Sequence, residues 1–337
     1  MIVQVANSVN EESREGHIAP RIDQLLSASA VSRADQPAVV TPIGRLTYAE
    51  LLDRSTRAQA VLPAGHQPVA VIEDLTTESL VLTFAVLLSG RALIPIDPRL
   101  PAERVHTIVE MCAAVVAPPE SLIGETVVTG SHKVVEPDAV AIVNVTSGST
   151  GAPKVVIHTH RTALTKASDV VIGLGLRSDD RMANLLPLGF SAGITTLLAG
   201  VSCGATVLCA DTRELTIEAV VHWLQCERAT TVHASVALAR ALGAATRDGA
   251  VTPLTSARQV CLYGEPATGR DVAAARCISD PTPRVVNWYA TTEVGVVAYA
   301  VIGPGDPLPV GRVPAGRCLD KYSLSILDES GSAVRDG

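Results

Sequence analysis

The segment Val145-Thr-Ser-Gly-Ser-Thr-Gly-Ala-Pro-Lys154 is the most informative stretch of this sequence. It follows an apolar run, residues 141–145, that is typical of a β-strand, and it gathers hydroxyl side chains and glycines in one turn. Such a turn can point several backbone amides and O–H donors at one anion, while Lys154 adds a positive charge. The segment therefore predicts a phosphate-binding loop.

This loop differs from a Walker A sequence. Gly148 and Gly151 are too close together, and the residue after the lysine is Val155 instead of Ser or Thr. The local composition also fits a plain solvent-exposed Ser/Gly turn, so the phosphate hypothesis depends on the rest of the chain.

Short apolar runs flank the loop on both sides and alternate with segments of helical length. They cover residues 69–72, 92–96, 114–117, 140–145, 183–188, 206–209, 230–233, 259–262 and 285–289. This alternation predicts mainly parallel sheets, more than one, with helices on both faces. Residues 47–62 begin with the capping pattern Thr47-x-x-Glu50 and predict a helix. After Glu293 the Gly- and Pro-punctuated segments predict antiparallel hairpins.

Composition excludes several classes of protein. The 337 residues suggest about two domains. With 27 Lys and Arg against 34 Asp and Glu, the net charge is -7, and the absence of a basic cluster argues against a nucleic-acid partner. Apolar runs such as 80–88 fall short of the roughly 20 residues that span a bilayer, which argues against membrane insertion. Seven cysteines without a C-x-x-C pair indicate reduced thiols. We expect a cytoplasmic protein.

Residues 146–154, followed by His158-Thr-His160, resemble the signature of the adenylate-forming (AMP-binding) superfamily. This superfamily includes acyl-CoA synthetases, nonribosomal peptide synthetase adenylation domains and luciferases. Further segments resemble its motifs in the expected order, from about residue 45 to 331; they are 94–98 with 101–104, 263–266, 287–293, 309–312 and 327–331. The chain is therefore similar to the N-terminal core of these enzymes.

The resemblance implies an α/β fold of two helix-flanked, mainly parallel sheets and a small β-barrel-like subdomain. The implied limits are a first α/β subdomain at 1–140, a second with the nucleotide site at 141–295, and the start of the β-subdomain at 296–337. The chain stops at Gly337, just before the family's ribose-binding aspartate, hinge and small C-terminal domain with its lysine. We expect a core whose adenylation is impaired, or whose missing part another polypeptide supplies.

The resemblance also assigns roles to residues, with ATP and Mg²⁺ as cofactors. It implies that the β- and γ-phosphates of ATP are wrapped by Thr146, Ser147, Gly148, Ser149, Thr150, Gly151 and Lys154. It implies nucleotide contacts from Gly264, Glu265, Pro266, Asn287, Trp288, Tyr289 and Thr292. Thr292 would act at the α-phosphate and Glu293 would hold magnesium, which suits a hard cation. The catalytic candidates are thus Thr292, Glu293 and Lys154.

Two positions depart from the family pattern. Val155 and Ala290 stand where the family usually has glycine. We expect altered loop geometry and weaker phosphate binding.

A competing motif is Gly189-Phe-Ser-Ala-Gly193, which matches the G-x-S-x-G nucleophile elbow of α/β-hydrolases. A triad on Ser191 would need Asp211 with His222 or His233, which leaves very little chain for the intervening sheet units. The same segment resembles the acyl-pocket motif of the adenylate-forming family. A serine hydrolase is therefore the remote alternative.

The resemblance implies a pocket for the acid made of Phe190, Ser191, Ala192, Thr195, Cys261, Tyr263, Trp288, Val296 and Val297. In amino-acid-activating relatives, an aspartate usually stands where Ser191 stands and pairs with the substrate's ammonium group. A hydroxyl cannot neutralise that buried charge. We therefore expect an aryl, hydroxy, keto or short aliphatic acid. Tyr263 and Trp288 either shorten the pocket or form its aromatic wall.

The expected reaction is formation of an acyl-adenylate from ATP and a small carboxylic acid. Coenzyme A or the phosphopantetheine thiol of a carrier protein would then accept the acyl group. The alternative is a module that binds ATP and an acid without turnover. Of the histidines, His160 is expected to support the loop or the pocket. His233 lies at a strand end and is either a pocket-lining or a satisfied core residue.

Overall fold

A computed structural model describes residues 2–7, 21–122, 135–147, 153–328 and 330–334. The residues predicted at the centre of the phosphate loop, Gly148 to Gly151, lie outside these ranges. For Ser147 only the backbone is described.

Within the described residues the chain forms fifteen strands and nine α-helices. The strands are β1 (Ile2–Asn7), β2 (Pro37–Thr41), β3 (Gly44–Thr47), β4 (Val69–Ile72), β5 (Leu93–Ile96), β6 (Val115–Ala117), β7 (Val140–Ser147), β8 (Pro153–Thr159), β9 (Arg181–Asn184), β10 (Thr206–Cys209), β11 (Thr231–Ser235), β12 (Gln259–Tyr263), β13 (Arg284–Thr291), β14 (Gly295–Ile302) and β15 (Tyr322–Leu327). The helices are α1 (Ile22–Ser32), α2 (Tyr48–Ala58), α3 (Thr77–Leu88), α4 (Ala102–Met111), α5 (His160–Leu174), α6 (Ser191–Cys203), α7 (Ile217–Cys226), α8 (Val236–Arg247) and α9 (Gly269–Arg276). Two short 3-10 turns cover Gln59–Val61 and Pro119–Leu122.

The strands form two large sheets, as predicted. The first has eight strands in the order β14-β13-β12-β11-β9-β10-β2-β3, and the second has five in the order β6-β4-β5-β7-β8. Pairing is parallel inside both sheets and antiparallel only at the β13–β14, β2–β3 and β7–β8 pairs. The expectation of two mainly parallel sheets is confirmed.

Helix α3 lies in the core next to strands of both sheets. Eleven of its twelve residues are buried, and it contacts β2 and β3 as well as β4 and β5. A helix that is apolar around most of its circumference is stable only when packed on several sides. The core therefore joins the two sheets.

The capping pattern Thr47-x-x-Glu50 forms as predicted. The Thr47 hydroxyl accepts a hydrogen bond from the Glu50 amide at 3.2 Å, and the Glu50 carboxylate accepts one from the Thr47 amide at 2.8 Å. The helix ends at Ala58, and a 3-10 turn carries the chain on to Val61.

One strand differs from the expectation. The run predicted at 183–188 forms β9 at Arg181–Asn184, after which the chain leaves the sheet towards α6. β14 pairs antiparallel with β13, so residues 295–302 extend the eight-stranded sheet. β15 forms a two-stranded antiparallel sheet with β1.

The two large sheets are interleaved along the sequence. β2 and β3, at 37–47, join the eight-stranded sheet, although its other strands all come after residue 180. β7 (Val140–Ser147) spans the predicted limit between residues 140 and 141. The division of the chain at 1–140, 141–295 and 296–337 stays a prediction.

All seven cysteines are free thiols. Among the described helices none has both the length and the apolar character needed to cross a membrane.

The packing of α8 on α9 generates a stability prediction. A methyl group at Gly243 would overlap the backbone carbonyl of Ala274, which cannot move aside as a side chain can. We expect Gly243→Ala to lower the free energy of unfolding by about 1–3 kcal/mol, measured by urea denaturation. Gly305→Ala is the matched control, because its methyl group would enter open space, and its effect should stay within about 0.5 kcal/mol. Equal urea midpoints for the two variants would contradict this packing.

Candidate active site

A cavity of about 170 Å³ lies at the carboxyl ends of β12 and β13, beside the first turn of α6. Seven of the nine residues predicted for the acid pocket line it: Phe190, Ser191, Ala192, Thr195, Tyr263, Trp288 and Val296. Cys261 and Val297 are buried but are not part of this lining. Phe190 is 64% exposed, at a rim shared with a second cavity of about 400 Å³.

Parallel strand pairing brings the two aromatic residues of the wall together. Leu262 on β12 is the register partner of Asn287 on β13, so the next residues, Tyr263 and Trp288, lie side by side. Their ring centroids are 6.2 Å apart with planes inclined at 49°. Both side chains are buried and line the cavity, so they form its aromatic wall.

His233 supports this wall from behind. Its Nδ1 is hydrogen-bonded to the Tyr263 hydroxyl at 2.9 Å and its Nε2 to the Thr231 hydroxyl at 3.2 Å. Burial lowers the pKa of His233 to about 3, so the imidazole is neutral. His233 is thus a satisfied core histidine that orients Tyr263, and it does not line the cavity.

A lysine forms the polar end of the cavity. Lys166 on α5 is 4% exposed, and its ammonium group donates to the Ser191 hydroxyl at 3.1 Å and to the Thr292 carbonyl oxygen at 2.9 Å. His158 Nε2 lies 3.3 Å from the same nitrogen. Three acceptors therefore surround the three ammonium protons.

The charge states follow from burial. Desolvation lowers the pKa of Lys166 to about 8, against the opposing charge of Glu293, and the side chain remains mostly protonated at neutral pH. Desolvation, and then the charge of Lys166, lower the pKa of His158 to about 4. The neutral imidazole can therefore accept a hydrogen bond from the lysine ammonium group.

Lys166 is not among the site residues predicted from the sequence, although a signal is present there. The buried face of α5 includes Ala163, Ala167, Val170 and Leu174, and Lys166 lies within that apolar stripe. A lysine is almost never fully buried without a partner. Its position on the apolar face was therefore a sign of a polar contact inside the protein.

The two flanks of the predicted phosphate loop meet across the β7–β8 hairpin. Thr146 and Lys154 are directly opposite each other in the register, and Lys154 is exposed. Thr146 also lines the second cavity together with Thr292. The flanks thus lie beside the candidate site, while the loop centre is outside the described residues.

The two residues that stand where the family usually has glycine both lie in β-strands. Val155 lies in β8 opposite Val145, and Ala290 follows an irregularity in the β13–β14 register. Neither is among the described residues with positive φ. Neither position therefore has the left-handed backbone that would favour glycine.

The residues predicted to contact the nucleotide lie in different environments. Gly264 follows β12 with a φ of 83°, a left-handed conformation that favours glycine, and it lines the cavity. Glu265, Pro266 and Tyr289 are exposed. The Asn287 amide is buried and donates to the Pro314 carbonyl at 3.2 Å, so it acts within the fold and not at the cavity.

Thr292 and Glu293 lie in the turn between β13 and β14. Thr292 lines both cavities, and Glu293 is exposed. Among the described residues no cluster of three or more His, Cys, Asp or Glu side chains can hold a metal ion. Magnesium in nucleotide sites usually takes one or two carboxylates together with phosphates and water. One accessible carboxylate therefore fits a metal that arrives with its nucleotide.

The triad hypothesis for Ser191 finds no support in the hydrogen bonds of the described residues. The Ser191 hydroxyl contacts Lys166, while His233 is bonded to Tyr263 and Thr231. His222 lies near Cys226, and Asp211 pairs with Arg213. The predicted acid and base are thus engaged elsewhere.

His160 opens α5 and is 1% exposed. Burial lowers its pKa to about 4. It does not line the cavity, so its expected support of the pocket is at most indirect.

Known proteins resemble this chain in sequence. A family model described as AMP-binding enzyme matches residues 26–126 and 114–337. The chain is 31% identical to phosphinothricin tripeptide synthetase PhsC of Streptomyces viridochromogenes over 91% of its own length and 29% of that protein. It is 28% identical to surfactin synthase subunit 1 of Bacillus subtilis over 94% of its length and 10% of that protein. The chain thus spans less than a third of these relatives.

Solved structures share the fold. The N-terminal subdomain of Klebsiella oxytoca NpsA, in complex with 3-hydroxybenzoyl-AMSN, has a TM-score of 0.82 at 19% identity and covers 94% of this chain and 85% of its own. The nonribosomal peptide synthetase FmoA3 in an AMPPNP-bound form has a TM-score of 0.82 at 23% identity and covers 95% and 36%. At these identities the likeness shows the architecture alone. Since the family model matches most of the chain, the protein belongs to the AMP-binding enzyme family.

Proposed function

We propose that this chain binds ATP and a small carboxylic acid and joins them as an acyl-adenylate. A carboxylate oxygen of the acid attacks the α-phosphorus, the bond from that phosphorus to the bridging oxygen breaks, and pyrophosphate leaves. The observation that carries the proposal is the arrangement, around one cavity, of seven predicted acid-pocket residues and of Thr292 beside Glu293. Membership of the AMP-binding family supports the same reaction.

In this proposal the residues at the open side of the cavity bind the nucleotide. Thr146 and Lys154, at the base of the hairpin loop, bind the outer phosphates, and Thr292 contacts the α-phosphate. Glu293 holds magnesium, which when bound neutralises charge on the phosphates. Fixed donors at the leaving pyrophosphate stabilise charge that develops in the transition state.

The acid is not an ordinary α-amino acid in this proposal. Ser191 provides a hydroxyl where a carboxylate would be needed to neutralise an ammonium group. Lys166 adds a positive charge at the same end of the cavity. The small volume and the walls from Trp288 and Val296 favour a compact apolar acyl chain.

The acceptor of the acyl group is the thiol of coenzyme A or of a carrier-protein phosphopantetheine arm. The names of relatives support the carrier protein, because PhsC is a tripeptide synthetase and fmqA of Aspergillus fumigatus a nonribosomal peptide synthetase by name. A neighbour of the same fold is described as an artificially fused adenylation–PCP di-domain of NpsA and ThdA.

The direct test is ATP–pyrophosphate exchange with a panel of amino, aryl, 2-hydroxy, 2-oxo and short aliphatic acids. Exchange driven by an acid without an α-amine is the expected result. Binding of ATP and acid by calorimetry without exchange would instead support the non-catalytic module. Exchange with α-amino acids only would contradict the proposed substrate class.

We expect Lys154→Ala to weaken ATP binding by about 10- to 100-fold, the usual range for a charge-assisted hydrogen bond, and AMP binding much less. The reason is that the loop faces the outer phosphates, which AMP lacks. Calorimetric titration of the two nucleotides measures the difference, and AMP provides the internal control. Equal losses of affinity for ATP and AMP would contradict the assignment of Lys154 to the phosphate site.

We expect Ser191→Ala to keep at least about a tenth of wild-type pyrophosphate exchange, because the hydroxyl takes no part in bond making and the loss of one hydrogen bond contributes modestly. No esterase activity is expected in either protein. The measurements are exchange assays and hydrolysis of a p-nitrophenyl ester. An esterase activity in the wild type that disappears in Ser191→Ala would support the serine-hydrolase alternative.

A further inference from the structure

Lys166 carries a buried positive charge whose contacts are all neutral. Its ammonium group is hydrogen-bonded to a hydroxyl, a backbone carbonyl and an uncharged imidazole. In the described part of the chain no carboxylate forms an ion pair with it, and the charge of Glu293 acts on it from beyond ion-pair distance. Buried charges in proteins are ordinarily paired. The structure therefore offers this charge to whatever enters the cavity.

The position of this charge along the cavity is defined by its partners. The Thr292 carbonyl belongs to the turn at the nucleotide side, and Ser191 begins α6. Tyr263 and Trp288 line the cavity as well, and they form its apolar wall. A substituent that meets Lys166 is thus close to the carboxylate that reacts, and the remainder of the acid packs on the aromatic wall.

The two polar side chains select the chemistry of that substituent. Lysine is a donor only, and the Ser191 hydroxyl, which accepts from Lys166, keeps its own proton for another acceptor. The serine therefore offers a hydrogen atom to an oxygen, and the lysine, whose three protons already have acceptors, offers its positive charge. A substrate ammonium group would meet a like charge and could give a hydrogen bond only to the serine oxygen, which already accepts one.

We propose that Lys166 and Ser191 form a recognition site for an oxygen on the carbon next to the carboxylate, so that the preferred substrate is a 2-hydroxy or 2-oxo acid with a compact apolar tail. This inference rests on the proposed acyl-adenylate function. Lys166 is a specificity-determining residue in it, and the bond-making atoms are those of the acid and ATP.

Binding of stable acyl-sulfamoyl adenosines tests the site without requiring turnover. Four compounds share one skeleton: those of 3-methylbutanoic acid, its 2-hydroxy and 2-oxo derivatives, and valine. We expect the wild type to bind the 2-hydroxy or the 2-oxo compound at least about tenfold more tightly than the unsubstituted one, from the serine hydrogen bond and the attraction of the Lys166 charge. Valine should bind weakest, by about 100-fold or more relative to the preferred compound.

Lys166→Met removes the charge and keeps the length of the side chain. The preference for the oxygenated compound over the unsubstituted one should fall to about threefold or less, since only the serine hydrogen bond remains. Arg161→Met is the matched control, because it removes an exposed cation from the same helix, and it should leave the wild-type order intact. In the double variant Lys166→Met with Ser191→Asp, valine should become the preferred compound.

The outcomes separate the two proposals. If the wild type binds neither ATP nor any of the four compounds, the acyl-adenylate function fails and the oxygen site fails with it. If ATP binds and the four compounds bind within about threefold of one another, or valine binds best, the function stands and the oxygen site is overturned. An unchanged preference in a folded Lys166→Met protein, checked by circular dichroism, would also overturn it.

Discussion

The hydrogen bonds of the Lys166 ammonium group connect the two sheets of this protein. His158 lies in β8, the edge strand of the five-stranded sheet, and Thr292 lies in the turn after β13 of the eight-stranded sheet. Ser191, the third partner, opens α6, which packs against the helix that carries Lys166. One buried charge thus holds the polar end of the cavity together, and its removal from water is tolerated because all three protons have acceptors.

The opposite wall depends on parallel strand pairing. β11, β12 and β13 are neighbours and run in the same direction, so their carboxyl ends meet at one edge of the sheet. Tyr263 and Trp288 therefore lie side by side, and His233, which is level with Cys261 in the register, orients the tyrosine ring through its hydrogen bond to the hydroxyl. Ligands of open α/β sheets bind at such edges. The position of the cavity is a consequence of the topology.

Together, the two walls combine an apolar surface with one cationic end. Apolar walls supply binding energy in proportion to the area they cover, whereas the few polar groups decide orientation. In a small cavity one charged side chain largely decides which ligand binds, because burying a polar or charged ligand group without a suitable partner costs free energy. In the proposed function, a hydroxyl in place of a carboxylate at Ser191 and the charge of Lys166 would both favour acids without an ammonium group.

The sequence by itself determined the features that local chemistry controls. The reciprocal hydrogen bonds of Thr47 and Glu50 span three residues, and the alternation of apolar runs with helices was enough to predict more than one mainly parallel sheet. The family resemblance supplied the number two. The resemblance to family motifs predicted most of the residues that line the cavity. Hydrophobic pattern and spacing alone did not predict them. Only the tertiary structure decided that Cys261 is outside the lining and that β14 extends the large sheet. Lys166 meets Thr292 across 126 residues of sequence, and no local pattern encodes such a contact because it depends on how helices and sheets pack.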